Sequence, residues 1–208
     1  MTQIKPLRIA VLISGSGTTL ENLFEKVAEK TLPAEVVLVV SSRSDAFGLE
    51  RAKRRNVPTA VVERKAFKSA FDFSRGVFEA LSAAKPDLIV MAGFMSMVLI
   101  PAEYEHRVIN VHPALLPAFG GKGFYGNRVH EAVIAEGCKI AGCTVHFVDN
   151  EYDRGAIIAQ RAIEVLDSDT SETLGNKVQA TERELYPEVI RWIAEGRVKV
   201  EGRRVKVS

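Results

Sequence analysis

The sequence predicts an α/β fold: a doubly wound, mostly parallel sheet with helices on both faces, of the Rossmann-like type. Three observations carry this. Leu7 to Ile13 (LRIAVLI) and Glu35 to Val40 (EVVLVV) are continuous apolar runs, the pattern of strands covered on both faces. Segments with apolar residues at helical spacing separate such runs. A glycine-rich turn, Ser14-Gly15-Ser16-Gly17, joins the first run to the first helical segment. Strand, helix, strand repeated in this way builds parallel sheets.

The elements follow in order. After the first strand, Thr19 to Lys30 reads as a helix through Leu20, Leu23, Phe24 and Val27. The second strand is followed by a helix over Phe47 to Arg55 and a third strand over Pro58 to Val62. Ala70 to Ala84 is amphipathic, with Phe71, Val77, Phe78 and Leu81 expected to face the core. Leu88 to Met91 is the fourth strand, and Val108 to His112 the next, stopped by Pro113. Asn127 to Glu136 looks helical, with Gly137 as its stop. Cys143 to Val148 and Ala156 to Val165 are further strands. Ser171 to Ala194 is a long helix in which Tyr186-Pro187 predicts a kink. Arg197 to Val207 alternates apolar and basic residues around Glu201-Gly202, a hairpin pattern. No linker, low-complexity tract or internal repeat divides the chain, so one domain is expected over 1–208.

Composition narrows the function classes. With 47% hydrophobic residues in 208, the chain can bury a substantial core. Lys and Arg number 28 against 26 Asp and Glu, a net charge of +2 that suits neither a nucleic-acid coat nor an acidic partner. The opening Met1-Thr2-Gln3-Ile4 shows no charged-then-apolar leader, and no apolar run approaches the ~20 residues of a membrane span. Cys138 and Cys143 form no CxxC or Cys/His array, which suits a reduced, cytoplasmic protein with bland, partly buried thiols. The four histidines show no ligand spacing, so no catalytic metal is expected.

Chemistry concentrates where polar residues interrupt apolar strands. Asn110 and His112 are two apart on a strand, so they project to one side. An amide donor beside a titratable ring suits polarising a carbonyl and moving a proton. The Ser14–Thr19 turn offers an anion site, because a helix N-terminus presents free N–H groups and Thr18 and Thr19 add hydroxyls. It lacks the lysine of a P-loop and the third glycine of a dinucleotide fingerprint, where Leu20 stands. NADP, with Arg43 on a 2′-phosphate, is the one dinucleotide option these residues leave open. His146 reads as a half-buried strand histidine, and His106 and His130 as surface or helix-face residues. Asp149, Glu151 and Asp153 share one polar loop, and chemistry alone does not choose among them.

Taken together, several blocks resemble the phosphoribosylglycinamide formyltransferase family, folate-dependent enzymes of purine biosynthesis. They are Leu12-Ile13-Ser14-Gly15-Ser16-Gly17, Asp45-Ala46-Phe47-Gly48-Leu49-Glu50-Arg51-Ala52, Ala92-Gly93-Phe94-Met95, Asn110-Val111-His112-Pro113-Ala114-Leu115-Leu116-Pro117, Gly142-Cys143-Thr144-Val145-His146-Phe147-Val148 and Asp153-Arg154-Gly155. The resemblance implies a phosphate-binding half over 1–100 and a catalytic and folate-binding half over 101–208. It implies a catalytic trio of Asn110, His112 and Asp153, with Asn110 and His112 on the formyl oxygen. Asp153 would favour the charged ring and relay the amine proton through water. Gly17, Thr18 and Thr19 would hold the substrate phosphate, and Gln179 and Glu182 the rest of the ribonucleotide. Folate contacts would come from Lys68, Met95, Ser96, Met97, Val98, Asn110, Asp149, Asn150, Glu151 and Tyr152. The co-substrate implied is 10-formyltetrahydrofolate, with no metal, no nicotinamide, no nucleic acid and no membrane, in a monomer or homodimer.

The sequence departs from the family pattern at Thr18-Thr19, at Ser96 where arginine is usual, and at Arg154. The Gly120–Gly126 stretch is an insert that reads as a phosphate-contacting lid, with Lys122 compensating for Ser96, or as a longer connection. Related reactions share the Asn-x-His-Pro core. The nearest are formyltetrahydrofolate deformylase, in which water replaces the amine, and formyl transfer to another small amine. A strand beginning by Leu7 leaves no room for the deformylase's N-terminal domain, and the short tail none for the tRNA-binding domain of methionyl-tRNA formyltransferase. A non-catalytic folate or nucleotide sensor would not need all three polar residues.

Overall fold

A computed structural model describes residues 5–208; the expectation about the leader concerns Met1 to Ile4 and lies outside the described residues. The chain divides into two compact units, Met1–Ile109 and Asn110–Ser208. The seven-stranded sheet runs from edge to edge through Thr59–Val61, Ala34–Ser41, Leu7–Ile13, Leu88–Met91, Val108–His112, Ile140–Phe147 and Ile157–Glu164.

In the first unit, β1 (Leu7–Ile13), β2 (Ala34–Ser41), β3 (Thr59–Val61) and β4 (Leu88–Met91) alternate with α1 (Thr18–Ala28), α2 (Phe47–Arg54) and α3 (Ala70–Ser82). β1 pairs in parallel with both β2 and β4, and β2 with β3. Residues of both faces of β1 are fully buried (Ile9, Ala10, Val11 and Ile13), which accounts for its apolar run. β5 (Val108–His112) starts in this unit and ends in the next. Its entry is fixed by Arg107, whose guanidinium donates to the carbonyls of Asp87 (3.1 Å) and Pro86 (2.5 Å).

The second unit adds α4 (Asn127–Ala135), β6 (Ile140–Phe147), β7 (Ile157–Glu164), α5 (Ser171–Ala194), and the hairpin β8 (Val198–Glu201) and β9 (Arg204–Val207). β6 and β7 pair antiparallel, so the sheet is mostly, not wholly, parallel. α5 packs on β6 and β7 and beside α4, and its start is closed by a capping box between Thr170 and Thr173. It continues through Pro187 to Ala194. The hairpin forms a separate two-stranded sheet that turns at Gly202, in the left-handed region.

Two side-chain expectations need correction. Phe71 is 64% exposed, and Phe73 joins Phe78 as a buried aromatic of α3. The inward stripe is Phe73, Ser74, Val77, Phe78 and Leu81; at about 100° per residue, Phe71 lies about 200° from Phe73 and points away. His130 is buried on α4, where its ring closes on Gly175 of α5. A glycine facing it leaves room that a helix-surface reading cannot foresee.

Candidate active site

The end of β5, the end of β6 and the loop after β6 bring four polar groups together in the second unit. Asn110 is half-buried, His112 is 3% exposed and His146 2%. Asp153 Oδ2 lies 3.6 Å from His112 Nδ1, and Oδ1 lies 3.7 Å from His146 Nε2. Asn110 Nδ2 lies 3.4 Å from His146 Nε2. Asp153 therefore stands beside both imidazoles, next to His112 directly, and Asn110 meets the group at a fourth residue, His146.

Partner chemistry sets the protons. His146 Nδ1 sits 2.8 Å from the Phe147 carbonyl, which only accepts, so Nδ1 carries the hydrogen. Burial pushes the His146 ring towards its neutral form, although the Phe147 carbonyl and the Asp153 and Asp149 charges act the other way. A neutral Nδ1–H ring leaves Nε2 as an acceptor, and Asn110 donates to it. This fixes which end of the amide faces His146. His112 Nε2 lies 2.8 Å from the Phe119 carbonyl and donates to it. To donate to a substrate oxygen instead, Nε2 must exchange that partner.

The backbone around these groups is tied down. Thr144 Oγ1, fully buried, donates to the Ala114 carbonyl (2.6 Å) and accepts from Leu116 N–H (3.0 Å), which holds the chain leaving His112. Gln160 Nε2 donates to the Leu116 carbonyl at 2.9 Å. Asp153 takes a left-handed φ of 55° and accepts from Gly121 N–H at 2.9 Å. The glycine-rich insert thus has one defined contact with the cluster, while Lys122 is exposed. Asp149 Oδ1 accepts from Glu151 N–H at 2.9 Å, a local turn, and Asn150, Glu151 and Tyr152 are exposed.

Gln179 is exposed and Glu182 half-buried on α5. Burial alone pushes the Glu182 carboxyl up to about 7. Burial, with the Glu182 charge second, pushes the Cys143 thiol up to about 12, so this cysteine is a packing residue.

The first unit holds the glycine turn. α1 starts at Thr18, and Gly17 caps it in the left-handed region (φ 70°) with no side-chain cap. A Cβ on Gly17 would lie 2.7 Å from the Gly48 Cα, so α2 presses directly on the turn. Gly48 N–H donates to the Gly15 carbonyl (3.1 Å) and Arg51 Nε to the Ser16 carbonyl (2.9 Å). Thr18 and Thr19 are half-buried. Met95 N–H donates to Ser14 Oγ (2.9 Å), tying the segment after β4 to this turn; Met95 is exposed, Ser96 and Met97 half-buried and Val98 buried. Lys68 is exposed. Arg43, the residue that left NADP open, is paired with Asp45 through bonds of 2.8 and 2.6 Å.

The residue that sequence reasoning missed is His146. Its signal was present: Thr144 and His146 are two polar residues at a two-residue spacing within an apolar strand, as Asn110 and His112 are in β5.

A parallel α/β sheet carrying an amide, two imidazoles and a carboxylate at neighbouring strand ends defines a Rossmann-like protein equipped to polarise a carbonyl. The chain belongs to the formyl transferase family, whose model matches residues 7–190. It is similar over 99% of its length to glycinamide ribonucleotide transformylase 1 from Symbiobacterium toebii, with 42% identity, TM-score 0.91 and 95% of that chain covered. It is 40% identical, over 95% of its length, to the trifunctional purine biosynthetic protein adenosine-3 of Gallus gallus, of which it spans 19%. A formyltetrahydrofolate deformylase from Pseudomonas syringae matches 97% of this chain and 66% of its own, with TM-score 0.86 but 24% identity, which shows a shared fold alone.

Proposed function

We propose that the protein transfers the formyl group of 10-formyltetrahydrofolate to the amine of 5′-phosphoribosylglycinamide. The observation that carries this reading is the joined cluster of Asn110, His146, Asp153 and His112. The amine nitrogen attacks the formyl carbon, and the second hydrogen of the Asn110 amide meets the oxygen as charge develops. His112 supplies a further donor once it leaves Phe119. The amine loses a proton towards Asp153, directly or through water, and the folate nitrogen leaves with a proton. Donors aimed at such an oxyanion are each worth roughly 3–4 kcal/mol.

Other groups have assigned roles on this reading. The N–H groups of Gly17, Thr18 and Thr19 take the phosphate, and Gln179 and Glu182 take the ribose end. The folate lies against Met95, Ser96, Met97, Val98, Asn110 and the Asp149–Tyr152 loop, with Lys68 towards its acidic tail. Residues 1–208 act as one formyltransferase domain, cytoplasmic, as a monomer or homodimer without a nucleic-acid or membrane partner. Among the described residues no helix is long and apolar enough to cross a membrane.

The test follows folate product by absorbance at steady state, with and without the ribonucleotide. Product formation should depend on the ribonucleotide. Turnover that ignores it would overturn the transferase reading in favour of hydrolysis.

A further inference from the structure

We propose that Arg203, at the tip of the C-terminal hairpin, is a positioning residue for Asp153. This rests on the function proposed above for the cluster. Arg203 lies beyond residues 7–190, so the family match assigns it nothing.

The contact is defined. Arg203 Nη2 donates to the Arg154 carbonyl at 2.7 Å, across 49 residues of sequence. That carbonyl belongs to the Arg154–Gly155 peptide, one residue beyond Asp153. Arg203 occupies the two-residue turn Gly202-Arg203 between β8 and β9, and β9 packs against β7. The guanidinium is therefore delivered from the turn of a paired hairpin whose second strand packs on β7.

Asp153 needs such support. It sits at φ 55°, a left-handed conformation that Asp tolerates better than most residues but that leaves the direction of its side chain dependent on how the loop is held. On its other side the chain is wedged, since a Cβ on Gly155 would overlap the Phe147 carbonyl oxygen. The loop is thus held by Gly121 N–H on the carboxylate, by the close approach at Gly155, and by Arg203 on the intervening carbonyl. Of the three, the Arg203 bond alone comes from outside the loop's neighbours around the cluster. Without it, the Arg154 peptide turns to water and the carboxylate loses its fixed bearing on His112 and His146.

The experiment uses the full chain and Arg203→Ala. The exposed arginine packs no core, so Tm should stay at the wild-type value. The kcat for formyl transfer should fall about fivefold, the effect of one hydrogen bond lost from a transition-state geometry. KM for both substrates should hold, and millimolar guanidinium should restore kcat. The 15N ring signals of His112, which report its contact with Asp153, should move in the variant. Wild-type kcat with unmoved His112 signals would overturn the proposal. So would a kcat loss that tracks a fall in Tm and resists guanidinium. If the wild-type protein transfers no formyl group, the functional reading fails separately, and the His112 signals still decide whether Arg203 positions Asp153.

Discussion

Replacing Glu182 by Gln should make the protein more stable at alkaline pH and leave it nearly unchanged in acid. Burial raises the Glu182 carboxyl from 4.5 to about 7 in the folded protein. The folded state therefore holds this proton more tightly than the unfolded chain. The stability linked to the group is complete below the unfolded value and is lost as pH rises through the folded one. A rise of this size, at about 1.4 kcal/mol per unit, corresponds to roughly 3 kcal/mol above neutrality. Glu182 is half-buried and not sealed, so water relieves part of this, and about 1–3 kcal/mol is expected. For a chain of this size that is a Tm increase of roughly 2–12 °C in the variant at about pH 8, shrinking towards zero at about pH 4.5. Thermal unfolding by circular dichroism at the two pH values measures both. An equal Tm difference at both, or a more stable wild type at alkaline pH, would refute the argument, because the carboxylate would then have a favourable environment. The same variant should raise KM for the ribonucleotide about tenfold, since a neutral amide accepts hydroxyl hydrogens more weakly than a carboxylate. On the proposed function, a group that costs stability would be kept for binding the ribose end, as in a site selected for its ligand and not for folding.

Other consequences are open to measurement. Asp153→Asn should abolish turnover with Tm near wild type, and Asn110→Ala should lower kcat roughly 10²–10³-fold; near-normal turnover in Asp153→Asn would point to Asp149 or Glu151 instead. Gly155→Ala should destabilise by about 3 kcal/mol in urea unfolding, because its Cβ meets the Phe147 carbonyl. Gly15→Ala, with nothing within 4 Å of its added Cβ, should fall within about 0.5 kcal/mol of wild type. 15N NMR should show the His146 ring more neutral than a free imidazole at the same pH, with its hydrogen on Nδ1. Since burial lowers its folded value, the stability it contributes is present above the unfolded value and lost as pH falls. Cys143, its thiol pushed up to about 12, should resist iodoacetamide at about pH 8 until the protein unfolds.

Sequence alone determined the elements whose cause is local. β1 and β2 were legible because a strand covered on both faces must be apolar throughout. The helix starting at Thr18 followed from a glycine turn, and the terminal hairpin from alternation around Gly202. Asn110 and His112 stood out because strand geometry gives residues two apart the same direction. Where causes were not local, pattern failed. Phe71 and Phe73 are equally apolar, and only packing of α3 chose between them. His130 and His146 looked ordinary because a histidine's role depends on what faces it: Gly175 across from α4 in one case, Asn110 and Asp153 in the other. Glu182 gave no hint of its raised carboxyl, since desolvation is a property of surroundings assembled from distant residues. Sequence fixes which groups a chain owns and which way each element turns them. Tertiary structure decides which of them meet, in what protonation state, and against what backbone they are held.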